Sequence, residues 1–273
     1  MSLETSSAAV TDAFDLSALD ATLAGTFFAG KLHFSPVTDS TNTDALSAAR
    51  RGAPHGSVYF ADEQRAGRGR GNHAWHSTAG EGLYVSVLLR PQIAVAHLPI
   101  LPLAAGLAAA DAIRTAADLA VDLRWPNDLL IGLRKTGGIL VESHSELGAI
   151  AFAVIGIGIN VRQQAFDPGL STPATSLALE ADRAVSRQSL LVALLKSLER
   201  EAIGLLDPAA AESILRRVEE ASTWIRGRAV EVHGPQACTG VTAGLDEHGF
   251  LLVRTTEGLI RVITGGIRAT EKN

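Results

Sequence analysis

The chain has 273 residues, of which 47% are hydrophobic and 19% charged, and its formal net charge at pH 7 is -5. This composition excludes a disordered protein, and the length allows one large domain or a large and a small one. The negative charge argues against bulk nucleic-acid binding, because general DNA binders usually carry a basic face.

The predicted elements of the first third alternate between helices and strands. A short helix over Leu16 to Phe28 precedes a strand and a second helix, which begins near Asp39 and ends at about Arg51. Strands over 57–61 and 83–89 flank a segment rich in Gly, Arg and His. That segment has about twenty residues, longer than connections in compact domains usually are, which indicates a functional loop.

The middle of the chain predicts a long helix and several strands. Residues 97–119 are rich in Ala and Leu and predict a helix that begins after Pro102, with Gly106 allowing close packing. The strands that follow are predicted over 121–125, 129–131, 138–143 and 150–161, and two further helices over 186–206 and 209–220.

The end of the chain differs in character. From Gly227 onward, short alternating strands are separated by turns, which predicts a small β-barrel of about 45 residues. The sequence therefore predicts an α/β domain over 1–224 and an all-β domain over 225–273.

Targeting and metal-binding signals are weak. The chain has no Lys or Arg before Lys31, so neither a signal peptide nor a transit peptide is expected. The apolar run from Leu98 to Ala110 contains two prolines and is too short for a membrane span. The single cysteine, Cys238, excludes an intramolecular disulfide and zinc sites built from cysteines. We therefore expect a cytoplasmic protein that has no membrane partner.

The most informative stretch is Gly67-Arg68-Gly69-Arg70-Gly71. Alternating glycines allow backbone N–H groups to close on an anion, and guanidinium groups clamp phosphate or carboxylate. In an extended loop, Arg68 and Arg70 would project to the same side. Taken alone, the stretch fits equally a flexible loop or a nucleic-acid contact.

The neighbouring motifs narrow the chemistry. The stretch 156–161 fails the dinucleotide fingerprint because Val161 stands where Gly or Ala is required, and no Walker A sequence precedes Lys135. Arg68, Arg70 and Lys135 together supply three cations. They suit a reaction in which a carboxylate attacks an α-phosphate, because both anions must be neutralised, and we therefore predict acyl adenylation.

Several polar residues permit two interpretations. Asp128 fits an Asx turn between strands, or a carboxylate that helps to hold Mg²⁺ or orients and deprotonates an amine. Asn127 can bond a nucleobase edge or a sugar. The residues Ser40, Thr41 and Asn42 fit a helix cap or a site for a neutral polar head group, Gln64 fits a turn or a ligand contact, and Trp75 fits the core or a cover for a ligand ring.

The order and spacing of these motifs resemble those of biotin protein ligases, enzymes that attach biotin to carboxyl carrier proteins. The resemblance runs from about Asp39 to Asn160. Its motifs are Asp39-Ser40-Thr41-Asn42, Gln64 with Gly67-Arg68-Gly69-Arg70 and Trp75, Trp125-Pro126-Asn127-Asp128, Lys135 with Gly138-Ile139-Leu140, and Gly156-Ile157-Gly158-Ile159-Asn160. It implies an α+β fold, in which a mixed sheet with flanking helices resembles class II synthetases and a small SH3-like β-barrel follows.

The resemblance also implies substrates and residue roles. Biotin and ATP would form biotinyl-5′-adenylate, and a lysine of a biotin carboxyl carrier protein would then take the biotinyl group. The implied catalytic residues are Lys135, Asp128, Arg68 and Arg70; the biotin-binding residues are Ser40, Thr41, Asn42, Gln64, Arg68, Gly69, Arg70, Lys135, Gly138 and Gly156; and the ATP-binding residues are Trp75, Asn127, Asn160 and Arg268. Mg²⁺ would accompany ATP near Asp128, without a cage made by protein alone.

Three departures from the family pattern stand out. Arg124 replaces the usual Lys, and we expect no consequence because it would lie outside the contacts. Thr136-Gly137 replaces the commoner Leu-Ala. His73 follows Gly71-Asn72 where many members carry another arginine, and it would contact the triphosphate only when protonated.

Alternatives and partners complete the expectations. A lipoate or octanoate ligase shares the fold, and a non-catalytic nucleic-acid or effector-binding module is the alternative of another class. Many family members carry an amino-terminal DNA-binding domain; 30 residues before the first strand cannot hold one, so no DNA partner is expected. The expected assembly is a monomer or a homodimer.

Overall fold

The computed structural model describes residues 13–91, 93–205 and 208–270. The outer limits predicted for the two domains, and the predicted helix end at Leu206, lie outside these residues. The helices are α1 (Leu16–Thr22), α2 (Thr41–Arg50), α3 (Ile100–Ala117), α4 (Leu177–Glu180), α5 (Arg187–Gly204) and α6 (Pro208–Ala221). The strands are β1 (Leu32–Thr38), β2 (Ser57–Gln64), β3 (Gly82–Leu89), β4 (Asp122–Arg124), β5 (Asp128–Ile131), β6 (Arg134–Glu146), β7 (Ala149–Asn160), β8 (Arg226–His233), β9 (Cys238–Leu245), β10 (Leu251–Thr255), β11 (Gly258–Val262) and β12 (Gly266–Ala269).

A seven-stranded sheet forms the larger part of the molecule, in the order β1-β2-β3-β7-β6-β5-β4. Within the described ranges, β1 and β2 run parallel and the other neighbouring strands of this sheet are antiparallel, which confirms the mixed sheet. Successive residues of β3 enter different hydrophobic clusters, because a strand points alternate side chains to opposite faces. Val87 packs in the main core with α3 and α5, whereas Leu88 packs beneath α2. Helices therefore flank both faces.

Helix α3 differs from its prediction. It begins at Ile100, before Pro102. A proline is tolerated there because the N–H groups in the first turn of a helix make no hydrogen bond within the helix. Its 18 residues extend beyond the apolar run Leu98 to Ala110, and they are long and apolar enough to cross a membrane by length and composition alone. However, 61% of this span is buried inside the protein, as in the core helix of a globular fold.

Replacing Gly106 of α3 with alanine is expected to stabilise the protein by about 0.5–1 kcal/mol, because glycine is a poor helix former. An added Cβ would lie 3.5 Å from Leu123 and 3.7 Å from Ile139, both ordinary van der Waals contacts. Urea unfolding of the two proteins measures the difference. A lower midpoint for the variant would mean that α3 packs too closely for a methyl group.

The carboxy-terminal strands form a separate sheet in the order β11-β10-β9-β8-β12, antiparallel throughout. Within the described part of the chain no pairing joins β11 to β12, so the barrel shape stays a prediction. One hydrophobic core includes residues of both sheets, such as Ile139 and Val253. The Trp125 Nε1 also donates to the Gly249 carbonyl at 3.1 Å. These contacts hold the second sheet beside the first.

Candidate functional site

Three glycines on one face of β6 and β7 allow other side chains to approach the two strands closely. Gly138 pairs with Gly158, and Gly156 lies two residues earlier on β7, so all three point the same way. A Cβ at Gly156 would overlap the Asn42 amide, and one at Gly158 would lie 2.5 Å from the Trp75 Nε1. Only glycine permits such a close approach. We call this surface the glycine face.

The start of α2 lies over one end of the glycine face. Ser40 is the N-cap residue, but its side chain makes no capping hydrogen bond, so the cap interpretation fails for this hydroxyl. Gln64 Oε1 instead accepts from the Thr41 backbone N–H at 2.9 Å and from its hydroxyl at 3.1 Å. The Gln64 Nε2 donates to Ser77 at 2.8 Å. Gln64 thus caps α2 and fixes the polar side chains beside it.

Asn42 is the centre of a buried polar cluster. Its Oδ1 accepts from the Ser86 hydroxyl at 2.5 Å, and its Nδ2 donates to Glu142 Oε2 at 2.9 Å. The Thr41 hydroxyl lies 2.8 Å from the same Ser86 oxygen. We call Thr41, Asn42, Gln64 and Ser86 the polar cluster. Its groups are hydrogen-bonded to one another, which preorganises them for a polar ligand.

Glu142 is a site residue that sequence reasoning missed. It accepts from Asn42 and forms an ion pair with Arg68 Nη2 at 2.5 Å, so it joins the polar cluster to residues 67–74, which we call the Gly/Arg loop. A signal for it exists in the sequence: Glu142 is a charged residue directly after the apolar run Ile139-Leu140-Val141 in a predicted strand. A charge at such a position requires a partner.

The Gly/Arg loop is folded rather than extended. Arg68 and Ala74 pair as an isolated antiparallel β-bridge, and the Gly69 N–H donates to the His73 carbonyl at 2.7 Å. A 3₁₀ turn covers 70–72. Gly71 has a φ of 65°, a conformation that other residues rarely adopt. The loop therefore folds back on itself, which an alternation of Gly and Arg did not reveal.

The two loop arginines point to different elements. Arg68 binds Glu142 of β6, whereas Arg70 Nη2 donates to Thr264 Oγ1 at 3.2 Å and its Nη1 to the Gly265 carbonyl. The prediction that both project to the same side is therefore wrong. Burial lowers the pKa of Arg70, and the nearby negative charge of Asp128 opposes that effect.

Lys135 and Asp128 form an ion pair at the other end of the glycine face. Lys135 Nζ lies 2.5 Å from Asp128 Oδ1, close to Gly138 and 5.5 Å from the centre of the Trp75 ring. Burial acts most strongly on Asp128 and raises its pKa, but the charges and hydrogen bonds of Lys135 and Arg124 outweigh it. The pKa of Asp128 therefore lies below its ordinary value, and the group is a carboxylate at neutral pH.

Arg124 contradicts its sequence-based expectation. It is a buried residue, and its Nε and Nη2 donate to Asp128 Oδ2 at 3.1 and 2.7 Å. The replacement of Lys by Arg at this position thus lies inside the site and not outside its contacts. The consecutive residues Arg124 to Asp128 form a tight connection between β4 and β5, and this connection brings the two charged groups together.

Trp75 offers a free hydrogen-bond donor. Its Nε1 is buried, faces Gly158, and has no hydrogen-bond partner in the described structure. A buried N–H without a partner costs free energy, and a ligand acceptor placed there would remove that cost. The indole therefore suits a cover for a ligand ring with polar atoms.

The other predicted nucleotide residues have varied surroundings. Asn127 Nδ2 donates to the Ile139 carbonyl at 2.8 Å, and Asn160 Nδ2 to the Thr175 carbonyl at 3.0 Å. The Thr175 N–H in turn donates to the Lys135 carbonyl. The Asn127 and Asn160 side chains thus fix the backbone at Ile139 and Thr175, beside the site. Arg268 is exposed on β12, and no hydrogen bond of the described residues joins it to the others.

The site does not offer a metal cage. Among residues 13–91, 93–205 and 208–270, no group of three or more His, Cys, Asp or Glu side chains is placed to hold a metal ion. Both oxygens of Asp128 already face cations, Lys135 and Arg124. This charge arrangement disfavours a metal ion bound to Asp128.

Comparison with known proteins gives consistent matches. Residues 34–160 match the model of the biotin/lipoate A/B protein ligase family, and residues 226–267 match the biotin protein ligase C-terminal domain. The chain is 34% identical to the bifunctional ligase/repressor BirA of Bacillus subtilis over 86% of this chain and 73% of that protein. It is 33% identical to the biotin-[acetyl-CoA-carboxylase] ligase of Mycobacterium tuberculosis, over 84% of this chain and 85% of that one.

Solved structures agree. The biotin protein ligase of Aquifex aeolicus in complex with biotin and ATP superposes with a TM-score of 0.75 at 28% identity, covering 88% of this chain and 100% of that one. The biotin protein ligase of Leishmania major in complex with biotinyl-5-AMP has a TM-score of 0.57 at 25% identity, covering 88% and 99%.

Proposed function

The chain belongs to the biotin protein ligase family, and we propose on that premise that it activates biotin with ATP and transfers it to a carrier protein. The products of the first step are biotinyl-5′-AMP and pyrophosphate. The second step joins biotin to a lysine of a biotin carboxyl carrier protein. The observation that carries this proposal is the glycine face, which has the polar cluster at one end and the Lys135 ammonium at the other.

The two ends of the glycine face match the two ends of biotin. The ureido ring is a neutral head group with donors and acceptors, and the polar cluster offers both kinds of partner. The valeryl carboxylate at the other end of the molecule requires a cation, and Lys135 supplies one. The glycines at 138 and 156 let Lys135, Trp75 and Asn42 approach the strands closely, so these side chains would border the intervening chain of biotin.

Adenylation joins two anions that repel each other. An oxygen of the biotin carboxylate attacks the α-phosphorus of ATP, and the bond from that phosphorus to the bridging oxygen of the β-phosphate breaks. Lys135 would bridge the carboxylate and the α-phosphate, and Arg68 and Arg70 would cover them from the loop. Trp75, Asn127 and Asn160 would border the nucleotide, with Arg268 reaching it from β12. Mg²⁺ would neutralise the triphosphate and be held mainly by its oxygens.

Transfer requires a neutral amine. The lysine amine of the carrier attacks the acyl carbonyl carbon, the carbon–oxygen bond to AMP breaks, and the nitrogen gives up one proton to water. Asp128 would orient the incoming amine. Because the pKa of Asp128 lies below its ordinary value, the carboxylate is a weak base, and orientation is favoured over deprotonation as its role.

The test compares ligands with and without ATP. We expect biotin, and not lipoate or octanoate, to raise the melting temperature and to start ATP-dependent release of pyrophosphate. Biotin transfer to a purified carrier domain then checks the second step. Pyrophosphate release that depends on lipoate or octanoate would overturn the proposal. The cytoplasm, where carrier and ATP are both present, is the proposed location.

Replacing Arg70 with glycine is expected to speed the escape of biotinyl-adenylate about tenfold. Arg70 anchors the loop to Thr264 and Gly265, so its loss would free the loop to open. Rapid gel filtration of the preformed complex measures the release rate. Arg65→Gly is the matched control, because Arg65 is exposed and precedes the loop. Equal release rates for Arg70→Gly and the unmodified protein would refute the role of this anchor.

A further inference from the structure

Arg124 occupies a junction that the family resemblance does not explain. Besides its two hydrogen bonds to Asp128, its Nη2 donates to Thr172 Oγ1 at 3.0 Å. Its guanidinium also lies over the Trp224 ring, 5.3 Å from the ring centre. The side chain thus contacts β5, the segment after β7, and the connection between the two sheets.

These contacts hold the guanidinium in one orientation. The planar guanidinium of an arginine can bind one carboxylate oxygen, a hydroxyl and an aromatic face at the same time. A lysine ammonium is instead a single point charge. The Arg228 guanidinium carbon lies 3.9 Å from the centre of the same ring, and this contact helps to hold Trp224 in place. Because Arg124 is buried, its position cannot relax into solvent.

The two oxygens of Asp128 have separate partners. Oδ1 binds Lys135, and Oδ2 binds Arg124. During adenylation the Lys135 ammonium must also face the substrate carboxylate and the α-phosphate. The hydrogen bonds from Arg124 to Asp128 Oδ2 remain when Lys135 also binds the substrate anions. Asp128 therefore stays fixed and continues to hold Lys135 in place.

We propose that Arg124 is a positioning residue for adenylation, which orients Lys135 by fixing the Asp128 carboxylate between the two cations. This inference rests on the proposed function, because it assigns Lys135 a role in the same reaction. Arg124 itself touches no substrate. Its effect passes through Asp128, and this path distinguishes it from a residue that only stabilises the fold.

A double-mutant cycle tests the path. We expect Arg124→Gln to lower kcat for biotinyl-adenylate formation about tenfold, with the KM values for biotin and ATP changed less than about twofold. In an Asp128→Asn background, the same substitution should lower kcat by less than about twofold, because the group through which it acts is gone. Arg124→Lys should lower kcat about three- to fivefold, because it returns the charge but not the planar group that binds Asp128, Thr172 and Trp224 together.

The controls make each outcome decisive. Arg216→Gln, on an exposed pair with Glu220 of α6, should leave kcat unchanged. Equal losses from Arg124→Gln in both backgrounds would overturn the proposal, as would full activity of Arg124→Gln. If Arg124→Gln does not fold, the cycle uses Arg124→Lys, and an equal loss in both backgrounds again overturns it. Failure of the unmodified enzyme to form biotinyl-adenylate would instead refute the proposed function.

Discussion

Lys135→Ala is expected to lower the rate of biotinyl-adenylate formation about a thousandfold. The substitution removes the cation that we propose to lie between the two reacting anions, and loss of a preorganised charge partner at such a position costs about 10²–10³ in rate. It also leaves Asp128 as a negative charge close to the substrate carboxylate. Single-turnover measurement of biotinyl-AMP formed from biotin and labelled ATP gives the rate directly.

The fold should survive this substitution. Asp128 keeps its hydrogen bonds to Arg124, so no buried carboxylate is left without a partner. We expect a melting temperature within a few degrees of that of the unmodified protein. Lys196→Ala on α5 is the matched control, because Lys196 is exposed and lies outside the site. A fully active Lys135→Ala enzyme would show that the reaction takes place elsewhere.

Gly156→Ala is expected to weaken biotin binding about 10- to 100-fold. The new methyl group would overlap the Asn42 amide, which is held by hydrogen bonds to Ser86 and Glu142. The amide must move, and breaking one or two buried hydrogen bonds costs about 1–3 kcal/mol. Isothermal titration with biotin measures the loss.

Gly106→Ala is the matched control for this substitution. It adds the same methyl group to a glycine of α3 that has room for it, and it should bind biotin like the unmodified protein. Unchanged biotin affinity in Gly156→Ala would mean that the polar cluster does not contact the ligand. That result would move the biotin site away from the start of α2.

Much of the larger sheet could be predicted because strand and helix periodicities are local. The strands around residues 57–64 and 82–89 have dense runs of Val, Leu and aromatic residues, and the structure places strands there. The long β6–β7 hairpin was predicted shorter than it is. The outer residues that the prediction omits, such as His144 and Glu146, are polar, and pairing with β7 overrides their weak strand propensity.

The loop arginines show where local reasoning failed. The expectation that Arg68 and Arg70 share a side assumed an extended loop, yet the structure folds the loop into a turn with Gly71 at positive φ. Glycine permits both conformations, so the choice between them comes from distant partners. Those partners are Glu142 and Thr264, which lie 74 and 194 residues away in the chain.

The family and its chemistry follow from residue order alone, because glycines, cations and amides at set spacings can be recognised without coordinates. Which groups meet depends on how the chain folds: Gln64 caps α2, Glu142 links the polar cluster to Arg68, and Arg124 holds Asp128. Arg124 and Thr172 are 48 residues apart and come together only when the segment after β7 packs beside β4. Arg124, which we expected to have no consequence in place of the usual Lys, is therefore part of a buried ion pair with Asp128. Sequence spacing contains no information about burial.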